Sequence, residues 1–350
     1  MSPSATPSSS RRPAVHRPAL AWFAAIGGAW VFVLVLLGAF TTSIGAGMVF
    51  KGWPLSDGSL NPTGWLADIN KFAEHSHRLS AALMSTITIA LAAWVWRAEV
   101  RAWLRRLAVF AAALVLVQAV VGGLRVLLEP KQVEMISTSV GRLFAMLHAC
   151  LAQIYVCTLL AIALSLSRPW VEAGANAVGR GVRRLGVVCC VLLLMQLAVA
   201  AVMRHSFAWH TILTFPAATP QGDWLPPAWS FPVAIQFAHT RVMAGLLALA
   251  LPAFAVAVWR DPAAGRGMRF SAGLLVALVV AQITLGALAI WQLRPPGLTT
   301  AHVVVGACTL ATAFGLTWWA HRADIENLSA LAAPERSAGG PAACVQPLAT

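Results

Sequence analysis

Eight separate runs of mainly apolar residues, each 21 to 28 residues long, constrain most strongly what this chain can fold into. A bilayer core is crossed by about 20 helical residues, so each run has the length of a transmembrane helix. Lipid offers the backbone no hydrogen-bond partners and nothing in the pattern indicates a barrel, which leaves helices. With 59% hydrophobic and 11% charged residues, the sequence predicts an all-α polytopic membrane protein. Its eight transmembrane helices are expected over residues 21–43, 77–98, 104–128, 142–167, 184–204, 232–259, 270–292 and 299–320.

The charged residues lie mainly between these runs and indicate an orientation. The net charge is +13. In a soluble protein this would favour nucleic acid, but here the arginines flank membrane spans and we expect no nucleic-acid partner. Lys and Arg concentrate in cytoplasmic loops, and their distribution places both termini in the cytoplasm. The chain is then a multi-pass protein of the plasma membrane, with a cytoplasmic tail over 1–20 and a disordered cytoplasmic tail over 321–350.

The second half of the chain repeats the first with a shift of about 160 residues. VLVQAVVGGLRV resembles LVVAQITLGALAI, and HSHRLSAAL resembles FAHTRVMAG. Four spans per half is an even number, so both halves keep one orientation and the symmetry axis runs along the membrane normal. We therefore expect two pseudo-symmetric four-helix bundles, over 21–167 and 184–320, each with a site in its core. Matched residues are Pro54 and Pro216, His77 and His239, Gln118 and Gln282, and His148 and His302.

One histidine lies in the outer part of each even-numbered span, and these four are the candidate metal ligands: His77, His148, His239 and His302. Ionisable groups inside a membrane are costly and point to function. Two facing imidazoles per bundle are typical of bis-histidine haem ligation. The alternatives are a helix–helix hydrogen bond and a zinc or copper ion, although two histidines alone make a poor zinc site. The pattern favours solvated or interfacial positions for His16, His205, His210 and His321.

More ionisable residues surround the first of these histidines. His75 lies two residues before His77, on another face of the helix, and is a weaker candidate. Glu74 lies three residues before His77, on the same face, whereas the second repeat has Gln236 at the matching position. A carboxylate beside only one site suggests chemistry in the first half and cofactor binding in the second. Helix-end charge complementarity is the structural alternative for Glu74.

Two arginines follow the histidines of the second and sixth spans. Arg78 comes directly after its histidine and Arg241 two residues after. A guanidinium at this depth can bind a haem propionate, because its fork matches a carboxylate. It can equally reach lipid headgroups.

Together these features resemble the haem A synthase family of cytochrome oxidase assembly proteins, over about residues 30–320. The resemblance rests on GAFTTSIGAGMVFKGWPLSDGSLNP, on the Glu-x-x-His-Arg of EHSHR, on LVQAVVGGLRV and on the four histidines. It implies a membrane haem-dependent oxidoreductase that oxidises a ring methyl of haem O to a formyl group, giving haem A for cytochrome oxidase. It also implies a haem b cofactor on the second-half histidines. The first-half histidines with Glu74 would form the catalytic substrate site, and both sites would lie toward the outer face. Some family members carry a cysteine pair in the first outer loop, which is absent here.

Two other functions fit part of this pattern. A di-haem b membrane cytochrome that only transfers electrons explains the histidines but gives Glu74 no task. A duplicated transporter with histidine proton relays predicts no visible absorption. Covalent c-type haem is excluded, because no Cys-x-x-Cys-His occurs. The expected partners are the lipid bilayer, haem O, the farnesyltransferase that produces haem O and an electron donor, while homo-oligomer formation stays open.

Overall fold

The computed structural model describes residues 14–134, 138–174 and 178–331, and it contains the eight predicted spanning helices. Each has 25 to 30 residues and is apolar enough to cross a membrane. The chain is therefore an all-α multi-pass membrane protein, as the sequence predicts. The helices are α1 (Pro18–Ser43), α2 (Ile69–Ala98), α3 (Ala102–Leu127), α4 (Val140–Leu166), α5 (Arg180–His205), α6 (Phe231–Arg260), α7 (Arg266–Trp291) and α8 (Pro296–Ala320).

The largest difference from the predicted boundaries lies at the start of α2, which begins at Ile69 rather than near residue 77. Asp68 caps this end by accepting hydrogen bonds from the backbone N–H groups of Asn70 and Lys71, at 2.8 and 3.2 Å. Such a carboxylate satisfies backbone donors that have no partner inside the helix. Hydropathy misses these first two turns because their residues are largely polar. The ionisable cluster before residue 79 therefore lies within the helix and not at its first turn.

Short elements connect the spanning helices. A two-stranded antiparallel pair precedes α4, a five-residue helix follows it, and a 3₁₀ turn follows α5. Their bounds are Gln132–Val133 with Thr138–Ser139, Arg168–Glu172, and Ala208–His210.

The C-terminal tail differs in part from its prediction. A helix, Arg322–Leu331, continues after α8 where the sequence predicts disorder from residue 321. Its acidic residues Asp324 and Glu326 form ion pairs with arginines of the spanning helices and their loops, and these fix the segment. The rest of that predicted tail, 332–350, lies outside the described residues, as do residues 1–13 of the predicted N-terminal tail.

Two apolar cores hold the helices together. The first is built mainly from α1–α4 and includes Leu20, Met84 and Leu159. The second is built mainly from α5–α8 and includes Phe254 and Leu275. The two groups of helices meet where α1 and α4 pack against α8, and α4 packs against α5. Each even-numbered helix thus brings its histidine into the interior of its own group.

A polar cluster ties the two helix groups together at the end opposite the α1–α2 and α5–α6 loops. Arg101 pairs with Glu99 at 2.8 Å and with Glu326 at 2.9 Å, and it also donates to the carbonyl of Ser165. Trp170, fully buried, donates its indole N–H to Glu326. Burial would raise the pKa of Glu99, but hydrogen bonds from Arg101 outweigh it and lower that pKa below the ordinary 4.5.

Candidate functional site

The four predicted histidine ligands lie one on each of α2, α4, α6 and α8, and each ring is partly buried. The buried Nδ1 atom of every one of them has no hydrogen-bond partner among the described residues. Each ring does lie beside a backbone carbonyl of an odd-numbered helix, that of Leu34, Gln118, Gln196 or Gln282, but the geometry falls short of a full hydrogen bond. An unpaired buried nitrogen costs free energy. The four rings thus share one arrangement at repeat-related positions.

The structure brings the histidines together in the two predicted pairs. His239 and His302 face each other with ring centroids 6.4 Å apart and planes at 76°. An imidazole nitrogen binds a metal ion such as zinc at about 2.0–2.1 Å, so this gap admits one metal ion between the rings. His77 and His148 lie close enough to interact electrostatically. The second-half rings thus face each other, and the first-half rings lie near each other.

Glycines on the odd-numbered helices make room for three of the four rings. A Cβ added at Gly38 would lie 2.9 Å from Cε1 of His77. Added Cβ atoms at Gly122 and Gly286 would lie 3.1 and 3.0 Å from the same atom of the α4 and α8 histidines. Any larger residue would therefore push the ring from its place. Gly122 and Gly286 are repeat-matched, so the second and fourth rings are seated in the same way.

Three membrane-embedded glutamines contact the histidines. Gln118 and Gln196 donate to the backbone carbonyls of His148 and His239, at 3.1 and 3.0 Å. Gln282 Nε2 lies 3.2 Å from Nε2 of the α8 histidine. The Oε1 atom of each glutamine is buried without a partner in the described part of the chain. In the sequence, Gln118 and Gln282 are visible only as markers of the repeat, and Gln196 is missed.

A cavity of about 660 Å³ lies between α5, α6, α7 and α8, and His239 and His302 line it. Ligand cavities typically measure about 300–1,000 Å³. The lining is mainly apolar, with Arg204, His205 and Arg294 at the end near the α5–α6 loop. The sequence predicts a solvated or interfacial loop position for His205, without a part in the site. The structure corrects this, because His205 is the last residue of α5, partly buried, and faces the cavity.

The charged cluster at the start of α2 anchors the α1–α2 loop, residues 44–68. Glu74, only 4% exposed, accepts hydrogen bonds from the backbone N–H groups of Val49 and Phe50, at 2.8 and 3.1 Å. Its other oxygen pairs with Arg78. Arg78 in turn donates to the carbonyls of Phe50 and Gly52 and to one further loop carbonyl. Both residues that the sequence predicts as site residues are therefore engaged with the loop in this structure.

His75 has a similar anchoring role. The ring is 2% exposed, with Nδ1 2.9 Å from the hydroxyl of Ser56 and Nε2 3.1 Å from the carbonyl of Leu60. Trp53, from the same loop, packs on α3 at Gly123, where an added Cβ would lie 2.5 Å from the indole. The loop is thus fixed at four places over the first helix group.

The α5–α6 loop is held in the same way by the second repeat. Gln236, 1% exposed, accepts from the backbone N–H groups of Thr211 and Ile212, at 3.1 and 2.7 Å, and donates to two loop carbonyls. Arg241 donates to the carbonyls of Thr214 and Ala217. Glu74 and Gln236 therefore share one anchoring task. The exchange of Glu for Gln does not by itself separate a catalytic half from a structural one.

A π-helical stretch explains why the arginine of the second repeat is displaced by one position. Arg78 directly follows its histidine, whereas one residue separates His239 from Arg241. Residues Ala238–Met243 of α6 form a π-helix. A π-bulge accommodates one extra residue within a helix and is frequent at functional sites. Arg241 thereby reaches the loop carbonyls that match those of Arg78.

Arg125, on α3, is a first-half residue that the sequence reasoning missed. An added Cβ at Gly47 would lie 2.5 Å from its Nη2 atom, so the guanidinium packs flat on that glycine. It interacts electrostatically with Glu74 and with both first-half histidines. At the matching positions the second half has Trp209 for Gly47 and Ala289 for Arg125. This cation is thus a real difference between the two sites.

The donor set suits a metal ion held in a flat ring better than a bare ion. Within the described residues, no group of three or more His, Cys, Asp or Glu side chains could hold a metal ion. Protein zinc sites need three or four such ligands. Two imidazoles would supply only part of an ion's ligands, so its other ligands would have to come from a prosthetic group. The glycines and the apolar cavity leave space for such a ring.

Comparison with known proteins gives consistent matches. A family model described as "Cytochrome oxidase assembly protein" matches residues 21–314. A protein of Maricaulis maris (strain MCS10) named "Heme A synthase" is 36% identical over 101 residues, which are 26% of this chain and 29% of that protein. A Bacillus licheniformis protein of the same name is 24% identical over 283 residues, 80% of this chain and 88% of that protein. The family match includes every candidate site residue described above.

Proposed function

The chain belongs to the cytochrome oxidase assembly protein family, and we propose that it is a haem A synthase. The reaction would oxidise a ring methyl of haem O to a formyl group, replacing two hydrogen atoms of the methyl carbon by one oxygen atom. Two successive hydroxylations, each removing two electrons from the methyl carbon, would give an alcohol and then a hydrated aldehyde that loses water. An external oxidant, dioxygen or an electron acceptor, would take up these four electrons. The names of both similar proteins support this proposal.

The observation that carries the proposal is the repeated histidine pair. In the second half the pair lies 6.4 Å apart across an apolar cavity of about 660 Å³. The facing imidazoles and the glycine beside His302 fit the binding of an iron porphyrin. The same arrangement of histidine and glycine recurs in the first half. Two iron-porphyrin sites in one chain allow one to be substrate and the other cofactor.

We assign His239 and His302 to a haem b cofactor in the second-half cavity. Haem b bound there would supply a route for electrons to or from the first half. The chain's own residues would fix the orientation of that cofactor. Gln196 holds the backbone carbonyl of His239, Gln282 contacts the ring of His302, and the apolar walls exclude water.

We assign His77 and His148 to the iron of the substrate, haem O. The α1–α2 loop, fixed by Glu74 and Arg78, would cover this site and keep water from the methyl group. A direct catalytic role for Glu74, in moving a proton or stabilising positive charge at the methyl carbon, remains part of the proposal. For that role, one carboxylate oxygen must release Arg78 or the loop N–H groups. The assignment of Arg78 and Arg241 to propionates requires a similar release of loop carbonyls.

The proposed orientation follows from the distribution of arginines. With the N-terminus in the cytoplasm, the α1–α2 and α5–α6 loops and both histidine pairs lie toward the outer face of the plasma membrane. We propose the two repeats, 21–167 and 184–320, as the substrate and cofactor halves. Haem O would reach the first half from the lipid phase or from the farnesyltransferase that makes it.

The haem composition of the purified protein tests the function. The full chain would be expressed with and without a haem O-producing farnesyltransferase, and its haem extracted with acid and separated by chromatography. Haem A or hydroxylated haem O, formed only when haem O is supplied, would support the synthase. Unmodified haem b in both hosts would favour the electron-transfer cytochrome, and a protein without visible absorption would favour the transporter.

A further inference from the structure

The end of the second-half cavity near the α5–α6 loop carries an excess of positive charge. Arg204, Arg241 and Arg294 line the cavity, together with His205. None of the described residues that line it is an aspartate or a glutamate. Cationic groups gathered at low dielectric without anions repel one another and lose hydration. A cavity of this kind is suited to a ligand that supplies negative charge.

The three arginines differ in how many of their donors the protein itself uses. Arg241 donates to the carbonyls of Thr214 and Ala217 at 2.5 and 2.7 Å, and its other terminal nitrogen donates to the Thr240 hydroxyl. Its guanidinium is therefore largely committed to the α5–α6 loop. The remaining two arginines are better placed to bind a ligand.

Only one nitrogen of the Arg204 guanidinium is hydrogen-bonded to the described part of the protein. Its Nη2 atom donates to the carbonyl of Ala39 at 3.3 Å and to the hydroxyl of Ser43 at 2.9 Å, both on α1. Its Nε and Nη1 atoms have no hydrogen-bond acceptor in the described structure. Arg204 also interacts electrostatically with Arg294, and an anion shared by the two would relieve their repulsion. The contacts to α1 fix the position of the fork and leave donors for a ligand.

Arg294, between α7 and α8, is held by an aromatic ring and has no oxygen partner among the described residues. Its guanidinium carbon lies 3.9 Å from the ring centroid of Trp209, a cation–π contact. Its backbone φ of +62° lies in the left-handed region, which non-glycine residues seldom adopt. Burial lowers the pKa of Arg294 to about 10. The chain thus holds an incompletely paired cation at the cavity in a strained conformation.

Neither arginine follows the internal repeat. With the shift that matches Pro54 to Pro216, Arg204 aligns with Thr42. With the shift that matches the α3 and α7 glutamines, Arg294 aligns with Pro130. The loop anchors do repeat, so these two arginines are a feature of the second half alone.

We infer that Arg204 and Arg294 form a binding site for the two carboxylates of a flat, otherwise apolar ligand that fills the second-half cavity. The inference rests on the proposed function, in which this ligand is an iron porphyrin dicarboxylic acid. A guanidinium fork binds a carboxylate with two parallel hydrogen bonds, and the low dielectric strengthens them. The free donors of Arg204 and the whole fork of Arg294 would each receive one carboxylate. The ligand would in turn remove the repulsion between the two arginines.

The test compares a diacid with its diester. The full chain carrying His148→Ala, so that only the second-half pair can ligate iron, would be purified without haem and titrated with ferric protoporphyrin IX and with its dimethyl ester. Binding would be followed by Soret absorption and by quenching of tryptophan fluorescence. We expect the diacid to bind at least about tenfold more tightly, the scale of one hydrogen bond to a charged group. Arg204→Gln and Arg294→Gln should each remove roughly 10-fold to 100-fold of diacid affinity and leave diester affinity unchanged.

Two further variants serve as controls for charge and for position. Arg294→Lys keeps the charge but not the fork and should restore only part of the diacid preference. Arg269→Gln removes one charge near the other end of α7 and should change neither affinity. Retained diester binding shows that a variant is folded. Equal binding of diacid and diester by the parent protein would overturn the inference and leave haem binding intact. Equal loss of both ligands in the glutamine variants would overturn it as well, and failure to bind either ligand would contradict the proposed function too.

Discussion

The close contact between Gly286 and the ring of His302 gives the most direct test of the cofactor assignment. In Gly286→Ala the new Cβ would lie 3.0 Å from Cε1 and 3.5 Å from Nδ1 of His302, whereas ordinary contacts begin at 3.4 Å. The ring must therefore move by about 0.4 Å, and metal sites tolerate deviations of only about 0.2 Å. Changes that displace a metal-binding histidine typically cost about 10-fold to 100-fold in affinity. We expect a loss of haem b affinity on that scale.

The assay separates ligation from folding. Alanine in place of a mid-helix glycine stabilises a helix by roughly 0.5–1 kcal/mol, so the haem-free variant should unfold at no lower temperature than the parent. Haem affinity would be measured by titration and the axial ligands by the low-spin spectrum. Gly273→Ala is the matched control, since it lies on the same helix and its nearest contact is 3.7 Å from Trp259.

A specific outcome would refute this reasoning. If Gly286→Ala binds haem with parental affinity and a parental low-spin spectrum, His302 is not an axial ligand or its ring is free to move. If Gly273→Ala loses haem to the same extent, the effect comes from α7 as a whole and not from the ring contact. Only a selective loss at residue 286 supports the assignment.

Three other predictions follow from the orientation, the loop anchors and the polar cluster. Reporter fusions after Arg183 should read cytoplasmic and fusions after Asp57 external, and the reverse pattern would contradict the charge-based orientation. Glu74→Gln should speed tryptic cleavage in the α1–α2 loop, because an uncharged amide loses the ion pair with Arg78, and should reduce haem A formation by roughly 100-fold. If Glu74→Gln is cleaved and forms haem A at the parental rates, both the anchoring role and the catalytic role of Glu74 are contradicted. Glu99 has a lowered pKa in the folded protein, so its pairing with Arg101 stabilises the fold above pH 4.5 and this stabilisation is lost as the pH falls further. Melting temperatures of the parent and Glu99→Gln should therefore converge on acidification.

The spanning helices can be predicted from the sequence because the bilayer imposes a length and an apolar composition on each of them. All eight are present, and their ends differ from prediction where polar residues continue a helix outside the apolar run. The start of α2 at Ile69 is the clearest example, since Asp68 caps a turn that hydropathy assigns to a loop. The helix after α8 differs for a similar reason, because its ion pairs depend on distant arginines.

The histidine pairs can be predicted because the repeat places each of them on an equivalent helix. The residues around them cannot be found in this way. Gly286 and Gln196 matter through their distance from a ring or a carbonyl, which depends on how neighbouring helices pack. Arg204, His205 and Arg294 lie at helix ends that face a cavity, and one sequence does not show which way such ends turn. Tertiary packing therefore decides which residues surround the histidines, and one sequence does not show it.

The two repeats differ more clearly in their cations than in the exchange of Glu74 for Gln236. The sequence suggests that Glu74, opposed to Gln236, marks the catalytic half, yet each side chain accepts two consecutive backbone N–H groups of its loop. The charge of Glu74 has an electrostatic reason in the first half, since Arg125 lies near it and the second half has Ala289 there. A carboxylate that balances a nearby cation is retained whether or not it reacts. The unrepeated cations are thus the stronger evidence for specialisation, and replacing Arg125 by alanine in a Glu74→Gln background tests whether the two residues act as one unit.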